Sequence, residues 1–353
     1  MTTTPTTRLA LVMIARDEAA GIGRALQSAR PHVDRMIVLD TGSTDGTQDI
    51  AASLGAEVST FTWCDDFAAA RNASLALSDA DWNLVLDADE WIEKVPDGAL
   101  SADALPAGGG DFLGWVRRDS GMDEGGARGR AQCWIPRLLP KGTLYEGRIH
   151  EQPAGPGGAR RLPLVLGHDG FMPGSLARKG DRNETLLMQA LAAAPEDPYL
   201  WFQLAKEHQV RDRSAKAALC FAEALRLAPG DVPYRHGLVV RGVTALKTAG
   251  RLDEALALVD AEVAVFRDSP DFYFAVGDLY LECAVQAPDR AFAEFLPVAE
   301  QAWKRCLEIG ERPDLDGAVA GRGGRMAAHN LAVLYEGLGQ ADLAQRYKAL
   351  AAL

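Results

Sequence analysis

The first half of the chain alternates short apolar runs with amphipathic stretches. The apolar runs have the length and composition of buried strands, and they lie at residues 8–15, 35–40, 56–61 and 82–87. The stretches between them place apolar residues at helical spacing, which predicts a helix after each of the first three strands. Strands that alternate with helices in this way predict an α/β domain with a mainly parallel, Rossmann-like sheet.

The pattern changes after about residue 181, where the sequence becomes rich in Ala and Leu and is helical almost throughout. One group of residues has the spacing of the tetratricopeptide repeat: Trp201, Leu204, Ala205, His208, Ala217, Phe221, Ala224 and Pro229. Gly250, Ala255 and Val259 repeat the second half of this pattern more loosely, and Ala299, Trp303 and Cys306 follow an irregular insertion. The pattern is then recovered in register at Leu331, Ala332, Tyr335, Gly339 and Ala344. Each pair of helices in such a repeat buries its apolar face by stacking on its neighbours. An ordinary helical bundle is the alternative interpretation.

These patterns divide the chain into three predicted segments. We expect a disordered N-terminal tip at 1–7, an α/β domain at 8–180 and an all-α repeat domain at 181–353. The passage from about 96 to 170, rich in Gly and Pro, should hold loops and further strands. A length of 353 residues exceeds the usual single hydrophobic core, which also favours two domains.

Composition narrows the classes of partner and compartment. The formal net charge of −12 argues against a nucleic-acid partner, which normally leaves a basic patch. The five cysteines are scattered and form no C-x-x-C pair, a pattern that fits reduced thiols in the cytoplasm. The first apolar run is too short for a signal peptide or a membrane-spanning helix. We therefore expect a cytoplasmic protein that does not span a membrane.

Carboxylates crowd the end of the fourth predicted strand, in the stretch LVLDADEW at 84–91. In an extended chain, residues two apart point to the same side, so Asp87 and Asp89 can converge on one spot. Hard oxygen ligands suit Mg²⁺ or Mn²⁺, ions that often bridge carboxylates to substrate phosphates. Ligands of open α/β sheets also bind outside the carboxyl ends of the strands. An isolated D-x-D is more often a solvated turn.

The surrounding motifs form a specific set. They are MIARDEAAGIGRALQSA (13–29), IVLDTGSTDGTQDIAASLGAEV (37–58), CDDFAAARNASL (64–75) and LVLDADEW (84–91). In this order they resemble the inverting glycosyltransferase family 2, which has the GT-A fold, over roughly residues 8–185. The later YEGRIHEQP and GHDGF, followed by the repeats, are similar to the branch that includes the bacteriocin S-glycosyltransferases and many bacterial cell-surface transferases. Arg16 and Asp17 depart from the family's Lys and Asn, although Arg16 keeps the positive charge.

The resemblance implies a binding site for a nucleotide sugar, which we expect to be a UDP-sugar. The implied contacts are Ala15, Arg16, Glu18, Asp40, Arg71, Asp87, Ala88, Lys179 and Arg182. Structural roles are the alternative for several of these positions. Arg71 could form a surface salt bridge, and the basic stretch that holds Lys179 and Arg182 could be a solvated hinge.

The resemblance also implies a site for Mg²⁺ or Mn²⁺. Asp89 is the expected first ligand, and Asp87 would be shared between the ribose and the metal. His168 follows another apolar strand and matches the histidine that many GT-A enzymes bring back to the metal. A lone histidine is also often a packed imidazole.

Inversion needs a general base that takes the proton of the acceptor nucleophile. Glu151, in RIHEQP, lies where the family's acidic base falls, and His150 could position the acceptor or act as a substitute base. Asp119, Asp169 and Glu90 are alternatives that could face the same cleft.

The sequence as a whole predicts a metal-dependent inverting glycosyltransferase whose acceptor is a peptide, a protein or a cell-envelope glycan. One alternative is a tetratricopeptide adaptor with an inactive transferase half. Another is a nucleotidyltransferase, which would normally have a Gly-rich basic phosphate loop that ARDEAAGIG matches poorly. The repeats are expected to form a homodimer in preference to capturing a peptide, because their last helices leave an apolar face to be covered.

Overall fold

A computed structural model describes residues 7–101, 103–124, 127–169 and 182–352. The chain divides into two compact units, one made of Met1–Arg128 with Trp134–Leu186 and the other of Gly129–Cys133 with Leu187–Leu353. The first contains a sheet with flanking helices and the second is helical, so the predicted α/β and all-α classes are confirmed.

The strands of the first half are β1 (Leu9–Ala15), β2 (Arg35–Asp40), β3 (Glu57–Thr60), β4 (Trp82–Val85), β5 (Glu90–Lys94), β6 (Phe112–Glu124), β7 (Ala127–Pro140), β8 (Leu144–Glu146), β9 (Gln152–Ala154) and β10 (Gly158–His168). The main sheet has the order β3-β2-β1-β4-β7-β6-β10-β5, and β8 and β9 form a separate antiparallel pair. The four strands predicted from the apolar runs are β1 to β4. They are mutually parallel, so their carboxyl ends lie at one edge of the sheet.

Antiparallel pairings make the complete sheet mixed. β7 runs antiparallel to β4, and β5 runs antiparallel to β10. β5 therefore returns along the strand that ends at His168. This arrangement brings the start of β5 next to the end of β10.

Three helices connect the parallel strands, and they are α1 (Ile22–Ala29), α2 (Thr47–Ser53) and α3 (Phe67–Leu75). Successive side chains of a strand point to opposite faces of the sheet, and both faces of β1 are buried. Leu11 and Met13 belong to the core that includes Leu26 of α1, whereas Val12 belongs to the core that includes Leu75 of α3. Burial on both faces explains why β1 is apolar without interruption.

The second half is built from α4 (Arg182–Ala193), α5 (Pro198–Gln209), α6 (Ser214–Leu227), α7 (Arg235–Thr248), α8 (Leu252–Glu262), α9 (Pro270–Gln286), α10 (Leu296–Ile309), α11 (Arg325–Gly337) and α12 (Ala341–Ala351). From α5 onward, consecutive helices pack as pairs. The repeat positions lie in the buried contacts, as Phe221, Ala255, Trp303 and Leu331 illustrate. The predicted tetratricopeptide-like pairing is therefore present.

An ordered insertion separates α10 from α11. Asp271 of α9 is almost fully buried, and its Oδ1 accepts hydrogen bonds from the backbone N–H of Val319 (2.9 Å) and from Arg322 (3.2 Å). Gln132 also belongs to this unit and donates from its backbone to Ala318 (2.7 Å). None of the helices that the structure describes has the length and apolarity needed to cross a membrane.

Candidate active site

The first loop at the carboxyl edge of the sheet follows β1. Ala15 is buried, and its carbonyl accepts a hydrogen bond from the backbone N–H of Thr41 (2.9 Å). Arg16 is exposed, and the backbone N–H of Glu18 donates to Thr47 Oγ1 (2.8 Å). The loop with these three predicted nucleotide contacts is therefore held against the loop between β2 and α2.

Asp40 ends β2 and is only 1% exposed. Its Oδ2 accepts hydrogen bonds from the backbone N–H groups of Gly42 (2.9 Å) and Ser43 (2.9 Å) and from the Gln48 side chain (2.6 Å). Burial opposes ionisation, but the bonds from Ser43, Gln48 and Gly42 outweigh it and lower the pKa of Asp40. Its Oδ1 is buried without a hydrogen-bond partner, so one acceptor of this carboxylate is unsatisfied.

The motif Asp87-Ala88-Asp89 forms a turn, which differs from the extended segment expected from the sequence. The backbone N–H of Glu90 donates to the carbonyl of Asp87 (3.0 Å), which closes the turn between β4 and β5. A Cβ atom on Gly21 would lie 2.8 Å from the carbonyl oxygen of Ala88, so the first loop passes the turn at a distance that only glycine allows. Because the chain turns here, Asp87 and Asp89 have different partners.

Asp89 lies next to His168, the last residue of β10. Asp89 Oδ2 is 3.6 Å from His168 Nε2, and the backbone N–H of Asp169 donates to the carbonyl of Asp89 (3.3 Å). The other ring nitrogen of His168, Nδ1, is 3.0 Å from the hydroxyl of Ser120. Two of the three predicted metal ligands are thus brought together. Within the described residues, no group of three His, Cys, Asp or Glu side chains could hold a metal ion by itself.

Asp87 contacts two buried arginines instead. Arg71 of α3 forms an ion pair with Asp87 Oδ1, and Arg137 of β7 lies 2.6 Å from Asp87 Oδ2. Burial opposes ionisation of Asp87, but the positive charges of Arg137 and Arg71 outweigh it and hold its pKa well below the ordinary value. Asp87 therefore stays ionised at neutral pH.

The ion pairs continue in both directions from Asp87. Arg71 Nε donates to Glu151 Oε1 (2.8 Å), and Arg137 Nη2 donates to Glu90 Oε1 (2.7 Å). Glu90 is fully buried and also contacts Arg118 (3.1 Å), and the positive charges of Arg137 and Arg118 lower its pKa against the effect of burial. Three acids and three arginines thus alternate in one network, in the order Glu151, Arg71, Asp87, Arg137, Glu90 and Arg118.

The loop that carries the two predicted catalytic residues is attached to α3. Asn72 donates to the carbonyl of Tyr145 (2.9 Å) and accepts from its backbone N–H (2.7 Å), so it binds β8 with both ends of its amide. The backbone N–H of Phe67 donates to the carbonyl of Arg148 (2.8 Å). His150 has a positive φ of 52°, which marks a sharp turn directly before Glu151. These bonds fix the position of Glu151 relative to α3.

The alternative bases have arginine partners of their own. Glu90 lies inside the network, Asp119 is 2.9 Å from Arg117, and Asp169 forms an ion pair with Arg24. Arg24 also lies over the ring of a neighbouring tryptophan in β5. Each of these carboxylates is therefore engaged by a cation, as Glu151 is.

The structure describes only part of the basic stretch that was predicted to contact the nucleotide sugar. Arg182 begins α4, and its guanidinium carbon lies 5.3 Å from the centre of the Phe67 ring. Lys179 lies outside the described residues.

Sequence reasoning missed Arg137, Arg118 and Ser120. Arg137 stands within the apolar stretch CWIPRLLP of β7, and a charge inside an apolar strand was a usable signal for a buried ion pair. Ser120 carries no such signal, because its partner His168 belongs to a distant strand.

Comparison with known proteins adds a family. Residues 10–107 match the family described as Glycosyl transferase family 2. A family 2 glycosyltransferase domain occupies this part of the chain. The family predicted from the motifs is thereby confirmed for residues 10–107.

Other known proteins are similar to part of the chain. A TPR repeat-containing protein of Synechococcus elongatus is 52% identical over 83 residues, which are 24% of this chain and 21% of that protein. The SPbeta prophage-derived glycosyltransferase SunS of Bacillus subtilis is 24% identical over 220 residues, 58% of this chain and 50% of SunS. A crystal structure of MamA covers 52% of this chain and 90% of its own at 16% identity, with a TM-score of 0.39. The chain thus spans about a fifth of the cyanobacterial relative and half of SunS.

Proposed function

We propose that this protein is a metal-dependent inverting glycosyltransferase. It would move a sugar from a nucleotide-diphosphate donor, a UDP-sugar, to a peptide, a protein or a cell-envelope glycan. The observation that carries the proposal is the approach of Asp89 to His168, 3.6 Å apart at the carboxyl edge of a family 2 domain. Open α/β sheets bind their ligands at this edge.

Asp40 supports a nucleotide site at the same edge. Its buried Oδ1 has no partner, and an acceptor in that state is stabilised when a ligand donates a hydrogen bond to it. The neighbouring first loop, with Ala15 to Glu18, is already fixed by backbone bonds. A base or ribose would reach Oδ1 of Asp40 after a local movement of the groups that cover this atom.

Asp89 and His168 fit a divalent ion that is shared with the substrate. Ligand bonds of about 2.1 Å allow two donors of one ion to lie as much as about 4.2 Å apart, so their separation of 3.6 Å is suitable. Mg²⁺ commonly combines one or two protein ligands with substrate phosphates, and a two-residue donor set matches that habit. When bound, the ion would offset the charge that develops on the diphosphate leaving group.

Glu151 is the proposed general base. Arg71 binds one of its oxygens, which holds the carboxylate in one orientation and leaves the second oxygen to accept a proton from the acceptor nucleophile. Because Arg71 also binds Asp87, the base and the donor side of the site share one guanidinium. This link holds Glu151 at a fixed position relative to Asp87 on the donor side.

The helical half is proposed to form a homodimer through α11 and α12. Val333 on α11 and Leu350 on α12 are large apolar side chains that lie 53% and 40% exposed. Light scattering should report a dimer for the native chain and a monomer for Val333→Glu, and a monomeric native chain would remove this role.

The five cysteines are free thiols, which supports the cytoplasm as the compartment.

Calorimetric titration of UDP with and without Mn²⁺ tests the proposed donor site. We expect Mn²⁺ to strengthen UDP binding to the native chain, and we expect Asp89→Asn to remove that effect. Asp111→Asn is the matched control, because Asp111 is exposed just before β6 and outside the site. Mn²⁺ enhancement that survives in Asp89→Asn would contradict the ligand assignment.

Product analysis separates the proposal from its two alternatives. A glycosyltransferase releases UDP from a UDP-sugar. Formation of UTP from a UDP-sugar and pyrophosphate would indicate a nucleotidyltransferase instead. Failure to bind any nucleotide sugar would favour an adaptor.

A further inference from the structure

His168 lies in a strand that has a neighbouring strand on each side. In the sheet, His168 is paired with Ser120 of β6 on one side and with Glu90 of β5 on the other. Ser120 is 1% exposed and His168 is 6% exposed, so water has little access to the contact between them. Their hydroxyl and Nδ1 are 3.0 Å apart, which is a hydrogen-bond distance.

The two ring nitrogens of His168 face different groups. Nδ1 faces the Ser120 hydroxyl, whereas Nε2 faces the Asp89 carboxylate at 3.6 Å, beyond an ordinary hydrogen bond. A neutral imidazole carries one proton, so one nitrogen donates and the other offers a lone pair. Which nitrogen can ligate a metal is set by the bond that the other one makes.

We propose that Ser120 is a positioning residue for the metal site. Its hydroxyl accepts a hydrogen bond from Nδ1–H of His168 and thereby keeps the Nε2 lone pair directed toward Asp89. This inference rests on the proposed function, and it adds a residue that no motif in the sequence marks. In this role Ser120 would contact neither the donor nor the ion. It acts by fixing the tautomer and the rotation of the ligand ring.

The backbone near His168 is fixed independently of Ser120. A Cβ atom on Gly167 would lie 2.2 Å from the ring of Trp91, so the end of β10 packs directly on that ring. The guanidinium of Arg24 covers Trp91 at 3.6 Å. These contacts place the Cα atom of His168, and the Ser120 hydroxyl then determines how its ring is turned.

The affinity of the full-length chain for Mn²⁺ tests the proposal. With saturating UDP and no sugar, free Mn²⁺ is counted by electron paramagnetic resonance, so the readout does not involve turnover. Ser120→Ala should weaken Mn²⁺ binding about 10- to 100-fold. Ser120→Thr, which restores a hydroxyl, should recover most of the loss. UDP binding in EDTA should be the same in all variants.

Ser74→Ala is the matched control. Ser74 is also 1% exposed, and its hydroxyl makes one hydrogen bond, to the carbonyl of Arg71. We expect this variant to bind Mn²⁺ as the native chain does. A folded Ser120→Ala variant with Mn²⁺ affinity within about twofold of native would overturn the inference and leave the metal site standing. A native chain that binds no Mn²⁺ in the presence of UDP would instead overturn the metal requirement of the proposed function.

A second measurement needs no substitution at Ser120. Long-range ¹H–¹⁵N spectra of the metal-free native chain in alkaline buffer report the tautomer of each histidine, and His168→Gln identifies the signal by its loss. The expected result is a proton on Nδ1 of His168. A proton on Nε2 would overturn the proposal whether or not Ser120→Ala folds.

Discussion

The two units of the chain bury charge in different ways. In the first unit, six side chains from Glu151 to Arg118 form one continuous network of alternating sign. In the second, the described buried charges form separate pairs, such as Arg322 with Asp271. In a separate pair, each charge is balanced by its own partner. The network includes the proposed base, Glu151, and Asp87 of the turn between β4 and β5. Replacement of one member is therefore expected to disturb side chains that would face the substrate.

The largest difference between the network and a separate pair is expected when one arginine is replaced in each unit. Arg137→Met leaves Asp87 and Glu90 without a shared partner, and Arg322→Met leaves Asp271 with only a backbone donor. Breaking a buried ion pair costs about 3–5 kcal/mol, so both variants should lose stability in urea unfolding. Only Arg137→Met should also lose donor turnover when both are assayed fully folded. Equal loss of turnover in the two variants would contradict the expectation that only the network is coupled to the site.

Glu151→Gln tests whether Glu151, at the end of the network, acts as the general base. The amide keeps the size of the side chain and an oxygen that can accept from Arg71, but it loses basicity. We expect turnover to fall by about 10²- to 10⁴-fold with donor affinity nearly unchanged. Glu146→Gln is the control, because Glu146 is exposed on β8 of the same hairpin. If donor affinity falls instead, Glu151 binds the donor and another acid is the base.

The smallest expected effect is that of Glu90→Gln on how the unfolding free energy decreases at acidic pH. The folded-state pKa of Glu90 is lowered, so its contribution is complete above the unfolded value and is lost as pH falls through the folded one. The unfolding free energy of the native chain should therefore decrease below about pH 5. Glu90→Gln should make that decrease shallower by up to about 1.4 kcal/mol per pH unit.

Glu254→Gln serves as the comparison for this measurement. Glu254 forms an exposed ion pair on a surface helix, and such pairs contribute little to stability. The unfolding free energy of this variant should decrease at acidic pH with the same slope as that of the native chain. If Glu90→Gln has the native slope in denaturant titrations across acidic pH, the network does not govern acid stability.

Local pattern predicted the elements of the first half well. The run RMIVLD is β2 without a residue of error, and the helix expected in GTQDIAASLG is α2. These elements bury a regular apolar face, and that regularity is visible along the sequence. The repeat positions of the helical half were visible for the same reason, as Phe221 and Leu331 are buried at the spacing of paired helices.

Contacts between distant strands were not predictable in the same way. Asp87 and Asp89 were expected to converge in an extended segment, but β5 pairs with β10 and turns the chain between them. Arg137 meets Asp87 only because β7 lies beside β4. The approach of His168 to Asp89 was expected from family resemblance, since no local pattern encodes it.

The most direct test of the central claim is hydrolysis of a panel of nucleotide sugars by the full chain, with Mn²⁺ and with excess EDTA. We expect at least one donor, a UDP-sugar, to release its nucleoside diphosphate when Mn²⁺ is present. We also expect EDTA to abolish this release and added Mn²⁺ to restore it. Undiminished release in excess EDTA would contradict metal dependence, and no release or binding of any nucleotide sugar would contradict a glycosyltransferase.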